Sequence, residues 1–310
     1  MGLGLDEGAA DAVFCHQMPD ILTLREAAEF LRLSERSLYD LARSHRVPAA
    51  QLGGKWLFPR AQLERWLTTQ ADGPETEPRL DPPPILAGSH DPLLDWAVRQ
   101  SGCGLALRAG GSLDGLSALA TGEAMAAAMH LRDPDTGAFN EPAARDTLAR
   151  RPMVGIVWAW RSQGLILPAG NPRGVQAIPD LARPGISVVG RQPRAGSHVL
   201  LVHLLGEAGI RLDAVRFLTE PALAEDEVAA AVQEGRADVG FGIGAEAAAR
   251  GLCFVPLFRE RFDLVMERRH YFGAQVQRLM RFVRQPDFVT RARRLGGYDV
   301  EETGDVSFCL

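Results

Sequence analysis

The chain has 310 residues, with 34 basic and 39 acidic side chains and a net charge of −5. Hydrophobic residues make up 46% and charged residues 24%, an ordinary globular composition that excludes a disordered or fibrous protein. The acidic balance excludes a polycation that coats nucleic acid along its whole length, although a local basic face stays possible. A chain of this length predicts two or three compact units.

Cysteine spacing and hydropathy exclude further classes of protein. Cys15, Cys103, Cys253 and Cys309 lie far apart and form no CxxC pair, so neither a zinc site nor a redox motif is predicted. The first residues lack the pattern of a secretory signal, and no run of about 18 apolar residues predicts a membrane span. We therefore expect a cytoplasmic protein with no metal site and no membrane contact.

A segment rich in proline and charge, residues 71–84, predicts a linker. It separates a small unit, residues 20–70, from a large unit, residues 85–310, and residues 1–19 are expected to form a flexible arm. The small unit has more basic than acidic residues although the whole chain is acidic. The sign of this asymmetry suits a small unit that binds nucleic acid.

The small unit begins with two predicted short helices. Thr23 and Glu26 have the spacing of a capping box, and apolar residues follow at helical spacing. Ser34 has the position of a second N-cap after a tight turn, which predicts a helix-turn-helix. Gly53 and Gly54 then predict a hairpin turn, and a third helical pattern closes the unit.

This order of elements resembles the MerR-like and excisionase-type winged helix-turn-helix domains. The resemblance covers Leu22 to Leu67, LTLREAAEFLRLSERSLYDLARSHRVPAAQLGGKWLFPRAQLERWL. It implies that the unit binds double-stranded DNA, with the second helix in the major groove and the hairpin near phosphate. The candidate contacts to bases or sugars are Arg36, Ser37 and Tyr39, and the candidate contacts to phosphate are Arg43, Arg46, Lys55 and Arg60. A small interaction module with a solvated charged face is the alternative.

The large unit alternates short apolar segments with helical patterns, which predicts an α/β fold with mainly parallel sheets. The predicted strands include MVGIVWAW, LILPAG, AVRFL, DVGFG and CFVPLF, and the predicted helices include HVLLVHLLGEAG and EDEVAAAVQEG. In such sheets, ligands bind beyond the carboxyl ends of the strands. The loops at those ends are therefore the candidate site.

Small and hydroxyl-bearing residues recur where predicted strands meet predicted helices. Small residues let backbone N–H groups approach a ligand, hydroxyl groups donate hydrogen bonds, and helix N-termini favour negative charge. Their repetition predicts a site for a small anion. The candidate ligand-binding residues are Ser89, His90, Gly111, Ser112, His130, Arg194, Gly196 and Ser197.

The large unit resembles the type II periplasmic-binding-protein fold, in the version that is fused to DNA-binding domains. The matching segments are AGSHDPLLDWAV, AGGSLDGLSALATGEAMAAAMHL, GISVVGRQPRAGSHVLLVHLLGEAGI and EVAAAVQEGRADVGFGIGAEAAARGLCFVPLFRERFDLV. The resemblance implies two lobes with the ligand between them. One lobe would contain Ile85 to about Pro168 with the C-terminal stretch, and the other about Gly170 to Pro256. The expected fold is thus multidomain, a small α-rich winged helix-turn-helix with a two-lobed α/β periplasmic-binding-protein-like domain.

Within that fold, the Gly-Ser loops look most like those of molybdate- and tungstate-binding domains. This likeness implies that Ser89, Ser112 and Ser197 donate to an oxyanion and that Arg194 supplies charge. It implies molybdate or tungstate as the effector, and no cofactor. Histidines at positions 90, 130 and 198 depart from the pattern and leave a larger or pH-sensitive ligand open.

Together the two resemblances imply a one-component transcriptional regulator that binds operator DNA as a homodimer and senses a small anionic ligand. A DNA-binding adaptor whose large unit binds a small organic effector or a protein partner is an alternative. An enzyme on the binding-protein fold is less favoured, since the chain has no GxSxG elbow, HExxH motif, P-loop or Rossmann fingerprint. We therefore assign no catalytic residue.

Overall fold

The computed structural model describes residues 21–69, 81–148 and 151–310. The chain divides into two compact units, Met1–Pro78 and Arg79–Leu310. The predicted arm lies outside the described residues, as does the predicted linker except for residues 81–84.

The first unit is a helix-turn-helix with a small antiparallel sheet. Its described elements are β1 (Ile21–Thr23), α1 (Leu24–Leu31), α2 (Glu35–Arg43), β2 (Ala50–Leu52), β3 (Lys55–Pro59) and α3 (Arg60–Thr69). The strand order is β1-β3-β2. Gly53 and Gly54 have φ angles of 56° and 77° between β2 and β3, the conformation that a two-residue hairpin turn of type I′ requires.

Local caps place the two helices of the first unit. The N–H of Thr23 donates to Oε2 of Glu26 at 2.8 Å, and Oγ1 of Thr23 accepts from the N–H of Glu26 at 3.4 Å. Oγ of Ser34 accepts from the N–H of Ser37 at 3.1 Å, and α2 begins at the next residue after Ser34. Both helices then bury their apolar faces in one core, which includes Leu22, Ala27, Leu38, Phe58 and Leu63.

The second unit contains one nine-stranded sheet with helices packed on it. Its strands are β4 (Ile85–Ser89), β5 (Ala106–Gly110), β6 (Ala126–Met129), β7 (Met153–Leu167), β8 (Val188–Val189), β9 (Val239–Ile243), β10 (Cys253–Glu267), β11 (Tyr298–Asp299) and β12 (Val306–Cys309). Its α-helices are α4 (Pro92–Ser101), α5 (Ser112–Thr121), α6 (Glu141–Leu148), α7 (Gly196–Glu207), α8 (Glu225–Gln233), α9 (Gly244–Ala249), α10 (Arg268–Tyr271), α11 (Ala274–Phe282) and α12 (Pro286–Leu295).

The sheet is parallel only towards its two ends. The order is β5-β4-β6-β10-β7-β9-β8, with β11 and β12 also paired to β7. β4 is parallel to β5 and β6, and β8 is parallel to β9, whereas β7 and β10 are antiparallel to each other and to their other neighbours. The expectation of mainly parallel pairing is therefore wrong for the centre of the sheet.

Several segment predictions also need correction. MVGIVWAW and LILPAG were predicted as separate strands but form the single strand β7, and CFVPLF is only the first part of β10. AVRFL forms no strand, since Phe217 makes only an isolated bridge to Val188. The polar residues in the middle of β7 divide its apolar pattern, and their burial depends on partners that lie far away in the chain.

The long strands β7 and β10 join two lobes. Each has 15 residues, which corresponds to about 50 Å of strand. One core, with Leu93, Trp158 and Phe288, packs at one end of the sheet, and a separate core, with Val188 and Phe241, packs at the other. The middle of β7 and β10 therefore lies where the two lobes meet. The pairing of β10 with β7 shifts register twice there, between residues 256 and 258 and between residues 262 and 263.

Candidate functional site

Three strand ends of the first lobe come together at two serine hydroxyl groups. Oγ of Ser89, at the end of β4, lies 2.7 Å from Oγ of Ser112, where α5 begins. The N–H of His130, which follows β6, donates to Oγ of Ser112 at 3.2 Å. All three side chains are buried.

Gly196, the first residue of α7 in the second lobe, lies directly against this group. A Cβ atom on Gly196 would be 2.9 Å from Oγ of Ser112 and 2.9 Å from Nε2 of His130, so the close approach requires glycine. Gly111 makes a similar contact, since a Cβ atom there would be 2.1 Å from the carbonyl oxygen of Arg194. The two lobes are therefore closed on each other where α5 and α7 begin.

The first turn of α7 continues into a second buried polar group. The hydroxyl of Ser197 donates to Oε1 of Glu225 at 3.3 Å, and Nη1 of Arg191 donates to the same oxygen at 2.6 Å. Ser197, Arg191 and Glu225 are all buried. Among the described residues, no side chain caps α7. The N–H groups of its first turn also have no intrahelical acceptor, so they suit an anion.

Under these loops, the middle of β7 and β10 holds a buried network of charges. Nε of Arg161 donates to Oε1 of Glu260 at 2.9 Å, and Nη1 donates to Oδ2 of Asp91 at 3.0 Å. Burial raises the pKa of Glu260, but Arg161 and His130 together outweigh burial and lower that pKa to about 2. Oε2 of Glu260 lies 2.7 Å from Nδ1 of His130. An ionised Glu260 therefore accepts from a protonated Nδ1, and Nε2 of His130 faces Gly196.

Among the described residues, the hydrogen-bond partners of Asp91 are structural. Its carboxylate caps α4 by accepting from the N–H of Leu94 at 2.7 Å, and it also accepts from Nε1 of Trp158 at 3.1 Å and from the hydroxyl of Tyr298 at 2.6 Å. Burial and the neighbouring Asp91 raise the pKa of Tyr298 well above its usual value. Asp91 thus fixes α4 and Arg161 in place.

Two buried acceptor atoms near this network have no hydrogen-bond donor among the described residues. They are Oε1 of Gln163 and Oε2 of Glu225. Nε2 of Gln163 donates to Oε1 of Glu260 at 3.1 Å, which fixes the orientation of the amide. A buried acceptor without a donor costs about 1–3 kcal/mol. A hydroxyl or N–H group of a ligand would remove that cost.

Arg194 and His90 are placed differently from the other candidate residues. The side chain of Arg194 is 53% exposed and bonds to the Asp114 carboxylate and, at 2.9 Å, to the carbonyl oxygen of Leu113. It joins the lobes at the surface, while the guanidinium groups of Arg161 and Arg191 are buried. His90 is half-buried. Burial raises the pKa of the carboxyl group of Glu246, and His90 is close enough to lower that pKa by a smaller amount.

The buried ion pairs on β7 and β10 were not predicted from the sequence. Arg161 and Gln163 interrupt an apolar run, and Glu260 lies between Arg259 and Arg261 in a charged segment. A charged residue inside an otherwise apolar strand is a signal for a buried partner, but its identity cannot be read from spacing.

Most of the candidate DNA contacts are exposed on the first unit. In α2, Leu38 and Ala42 are buried, whereas the candidate residues on and after this helix are exposed. Lys55 on β3 is exposed as well. The exposed candidates are Arg36, Ser37, Tyr39, Arg43, Arg46 and Lys55. Oγ of Ser37 lies 2.7 Å from Oγ of Ser34, so this hydroxyl belongs to the N-cap. Arg60 is half-buried, with its guanidinium carbon 5.6 Å from the centroid of the Phe30 ring.

The described part of the chain also lacks two kinds of feature. No group of three or more His, Cys, Asp or Glu side chains there is arranged to hold a metal ion. Within the same residues, no helix combines the length and the hydropathy that a bilayer span needs.

The fold and the site define a two-unit protein, a winged helix-turn-helix and a two-lobed α/β domain with buried polar groups between its lobes. A family model described as a PBP superfamily domain matches residues 95–284, and the chain belongs to this superfamily. A helix-turn-helix domain model matches residues 21–71. The helix-turn-helix domain indicates DNA binding, and the PBP superfamily domain indicates the binding of a small ligand.

Two uncharacterised bacterial proteins and a solved structure are similar to this chain. An uncharacterised protein of Bacillus subtilis strain 168, YvgK, is 28% identical over 309 residues, covering 92% of this chain and 96% of YvgK. An uncharacterised protein from the 5′ region of a Clostridium pasteurianum 2Fe-2S ferredoxin gene is 32% identical over 82 residues, covering 26% of this chain and 71% of that protein. A Clostridium perfringens protein solved with bound phosphate has a TM-score of 0.50 at 11% identity, covering 68% of this chain and 96% of its own. The last likeness shows the fold.

Proposed function

We propose that the protein is a one-component transcriptional regulator of the cytoplasm, in which the first unit binds operator DNA and the second senses a small anion. The contact of Gly196 with Ser112 and His130 carries the proposal. It brings hydroxyl groups of one lobe against the uncapped start of α7 in the other. Such a junction opens and closes with the lobes and offers an anion donors from both sides.

The donors favour an oxyanion, and molybdate and tungstate are the first candidates. Ser89, Ser112 and Ser197 supply buried hydroxyl groups, and the first turns of α5 and α7 supply N–H groups. Arg161 and Arg191 are each paired with carboxylates. Neutral donors would therefore carry most of the recognition of a tetrahedral dianion.

A small organic acid is the second candidate. Oε1 of Gln163 and Oε2 of Glu225 are buried acceptors without donors among the described residues. A fully deprotonated oxyanion has no donor to offer them, whereas a hydroxy acid or an amino acid does.

The proposed mechanism couples lobe closure to DNA. Ligand binding would favour the closed lobes, and closure would change the separation of two DNA-binding units in a homodimer. A winged helix-turn-helix dimer is expected on half-sites about 34–36 Å apart. The proposal includes no catalytic step and no cofactor.

A thermal-shift panel tests the ligand class. The panel contains molybdate, tungstate, sulfate, phosphate, and small hydroxy and amino acids, each with wild type and Ser197→Ala. A true effector stabilises the wild type by about 2.7 kcal/mol at a hundredfold excess over its Kd, and the variant less. A response to hydroxy or amino acids alone selects the organic ligand. If no compound shifts the wild type, the adaptor function, with a protein partner, replaces the sensor.

A further inference from the structure

A strongly basic surface covers α11 and α12 of the second unit. Residues 274–296 carry arginine at positions 278, 281, 284, 291, 293 and 294, and their single acidic residue is Asp287. The chain as a whole is acidic, so this stretch reverses the general charge. Four of these arginines are exposed and their side chains form no ion pair or hydrogen bond with the described residues, and we call them the basic surface: Arg281, Arg284, Arg293 and Arg294.

The two helices form one continuous region because both pack on α4. The ring of Trp96 in α4 lies 5.3 Å from the ring of Phe282 at the end of α11. The guanidinium carbon of Arg291 in α12 lies 5.8 Å from the centre of the same Trp96 ring. Nη1 of Arg278 donates to the carbonyl oxygen of Gly102 just after α4, at 2.8 Å. Arg278 and Arg291 thus have structural roles, and the basic surface lies beside them.

Exposed arginines elsewhere on the second unit are mostly paired with carboxylates. The paired ones include Arg99, Arg108, Arg145, Arg173, Arg183, Arg211, Arg236, Arg259 and Arg269. Within the described residues, no arginine of the basic surface forms an ion pair. A general preference for arginine in this chain therefore does not explain the basic surface, because its arginines differ from the other exposed arginines in having no carboxylate partner.

Helix dipoles explain only part of the arrangement. Arg281 lies in the last turn of α11, and Arg293 and Arg294 lie in the last turn of α12. A cation there is worth about 0.3–1 kcal/mol to the helix. Arg284 lies beyond α11, and neighbouring like charges repel one another. A polyanion placed on the surface would relieve that repulsion.

We propose that the basic surface binds the phosphate backbone of DNA, in addition to the contacts of the helix-turn-helix. This inference rests on the proposed DNA binding of the first unit. Arginine forms paired hydrogen bonds to phosphate oxygens, so an array of unpaired guanidinium groups matches a row of phosphates. A duplex held by the first unit of the same chain is at a high effective concentration for the second. That tethering favours DNA over an acidic segment of another protein.

The experiment measures the salt dependence of DNA binding by the full chain. The test variant combines R281Q, R284Q, R293Q and R294Q, and the control combines R145Q, R183Q, R211Q and R236Q, which changes the charge of the same unit equally. Glutamine keeps helix propensity close to that of arginine. Fluorescence anisotropy gives affinity for duplexes of about 40 and about 12 base pairs, the shorter one spanning little more than one helical turn. Circular dichroism checks that both variants are folded.

With the longer duplex, we expect the test variant to lower the slope of log K against log salt by about 3–4, since each lost phosphate contact removes about 0.9. The control should lower it by less than about 1, and the short duplex should show little difference between the variants. Equal slopes for test and control on the longer duplex overturn the basic surface as a DNA contact, and an acidic protein partner then becomes the occupant. If the wild type binds neither duplex, the proposed DNA binding itself is wrong.

Discussion

Nδ1 of His130 lies 2.7 Å from Oε2 of Glu260, although 130 positions separate the two residues in the chain. Both side chains are 1% exposed. The pair joins the end of β6 to the middle of β10, and Arg161 completes it from β7. The buried charges of Arg161 and Glu260 therefore compensate each other next to the candidate anion site, and Glu260 fixes the orientation of the His130 ring.

Replacing Glu260 by glutamine should destabilise the second unit strongly. The variant leaves Arg161 buried with Asp91 as its remaining carboxylate partner, and breaking such a pair typically costs about 3–5 kcal/mol. Urea denaturation at pH 7 measures the free energy of unfolding. Glu234→Gln is the matched control, because Glu234 is 58% exposed and pairs only at the surface with Arg236. Similar losses in both variants would contradict the structural role of the network.

The same variant should change how stability depends on pH. The pKa of Glu260 is about 2 in the folded chain, below its usual 4.5. A lowered carboxyl pKa contributes stability that is fully present above pH 4.5 and is lost as the pH falls towards 2. The difference in unfolding free energy between wild type and Glu260→Gln should therefore shrink by about 3 kcal/mol across that window. A difference that stays constant from pH 6 to the lowest measurable pH would show that Glu260 is not held ionised.

Replacing Gly196 by alanine should hold the lobes apart. The new Cβ atom would be 2.9 Å from Oγ of Ser112, so α7 could not reach its present position against the first lobe. We expect anion affinity to fall at least about tenfold, a loss of about 1.4 kcal/mol. Small-angle scattering should show that the ligand no longer makes the variant as compact as the wild type.

Gly206→Ala is the control on the same helix, since nothing lies within 4 Å of a Cβ atom there. It should bind the anion normally and gain about 0.5–1 kcal/mol of stability from the better helix former. Normal compaction of Gly196→Ala would remove the argument that this glycine permits closure.

Replacing Ser197 by alanine should weaken anion binding while the chain stays folded. The hydroxyl donates only a long bond of 3.3 Å to Glu225, which also accepts from Arg191. A hydrogen bond to a charged ligand is worth about 1.5–3 kcal/mol, so a loss of affinity of about tenfold or more is expected. Calorimetric titration measures it, with Ser117→Ala on the exposed face of α5 as the control. Equal affinities in the two variants would place the ligand elsewhere.

Two substitutions in the first unit should separate base reading from phosphate binding. Arg36→Ala, at the start of α2, should weaken binding and alter the preferred DNA sequence. Lys55→Ala, on the hairpin, should weaken binding to all sequences and lower the salt slope by about 1. A selection from random duplexes and a salt titration measure the two effects, with Arg236→Ala in the second unit as the control. Unchanged affinity in both variants would remove the assigned DNA face.

The first unit could be predicted well because its signals are local. The bonds between Thr23 and Glu26, and between Ser34 and Ser37, join residues three apart. Each bond can therefore be read from spacing in the sequence. Arg60 stays a predicted phosphate contact, but its packing over Phe30 depends on how α1 and α3 meet and could not be read from spacing.

In the second unit, too, local features could be predicted from the sequence and distant contacts could not. Its helices and its Gly-Ser loops follow from periodicity and from the residues that helix starts require, so the sequence alone determined an α/β fold with hydroxyl groups at strand ends. Only the tertiary structure decided that β7 and β10 are continuous antiparallel strands, that Gly196 meets Ser112, and that Arg194 lies at the surface while Arg161 is buried. Periodicity reports which side of an element is covered, but the identity of a distant partner is fixed only when the lobes close and the sheet sets its register.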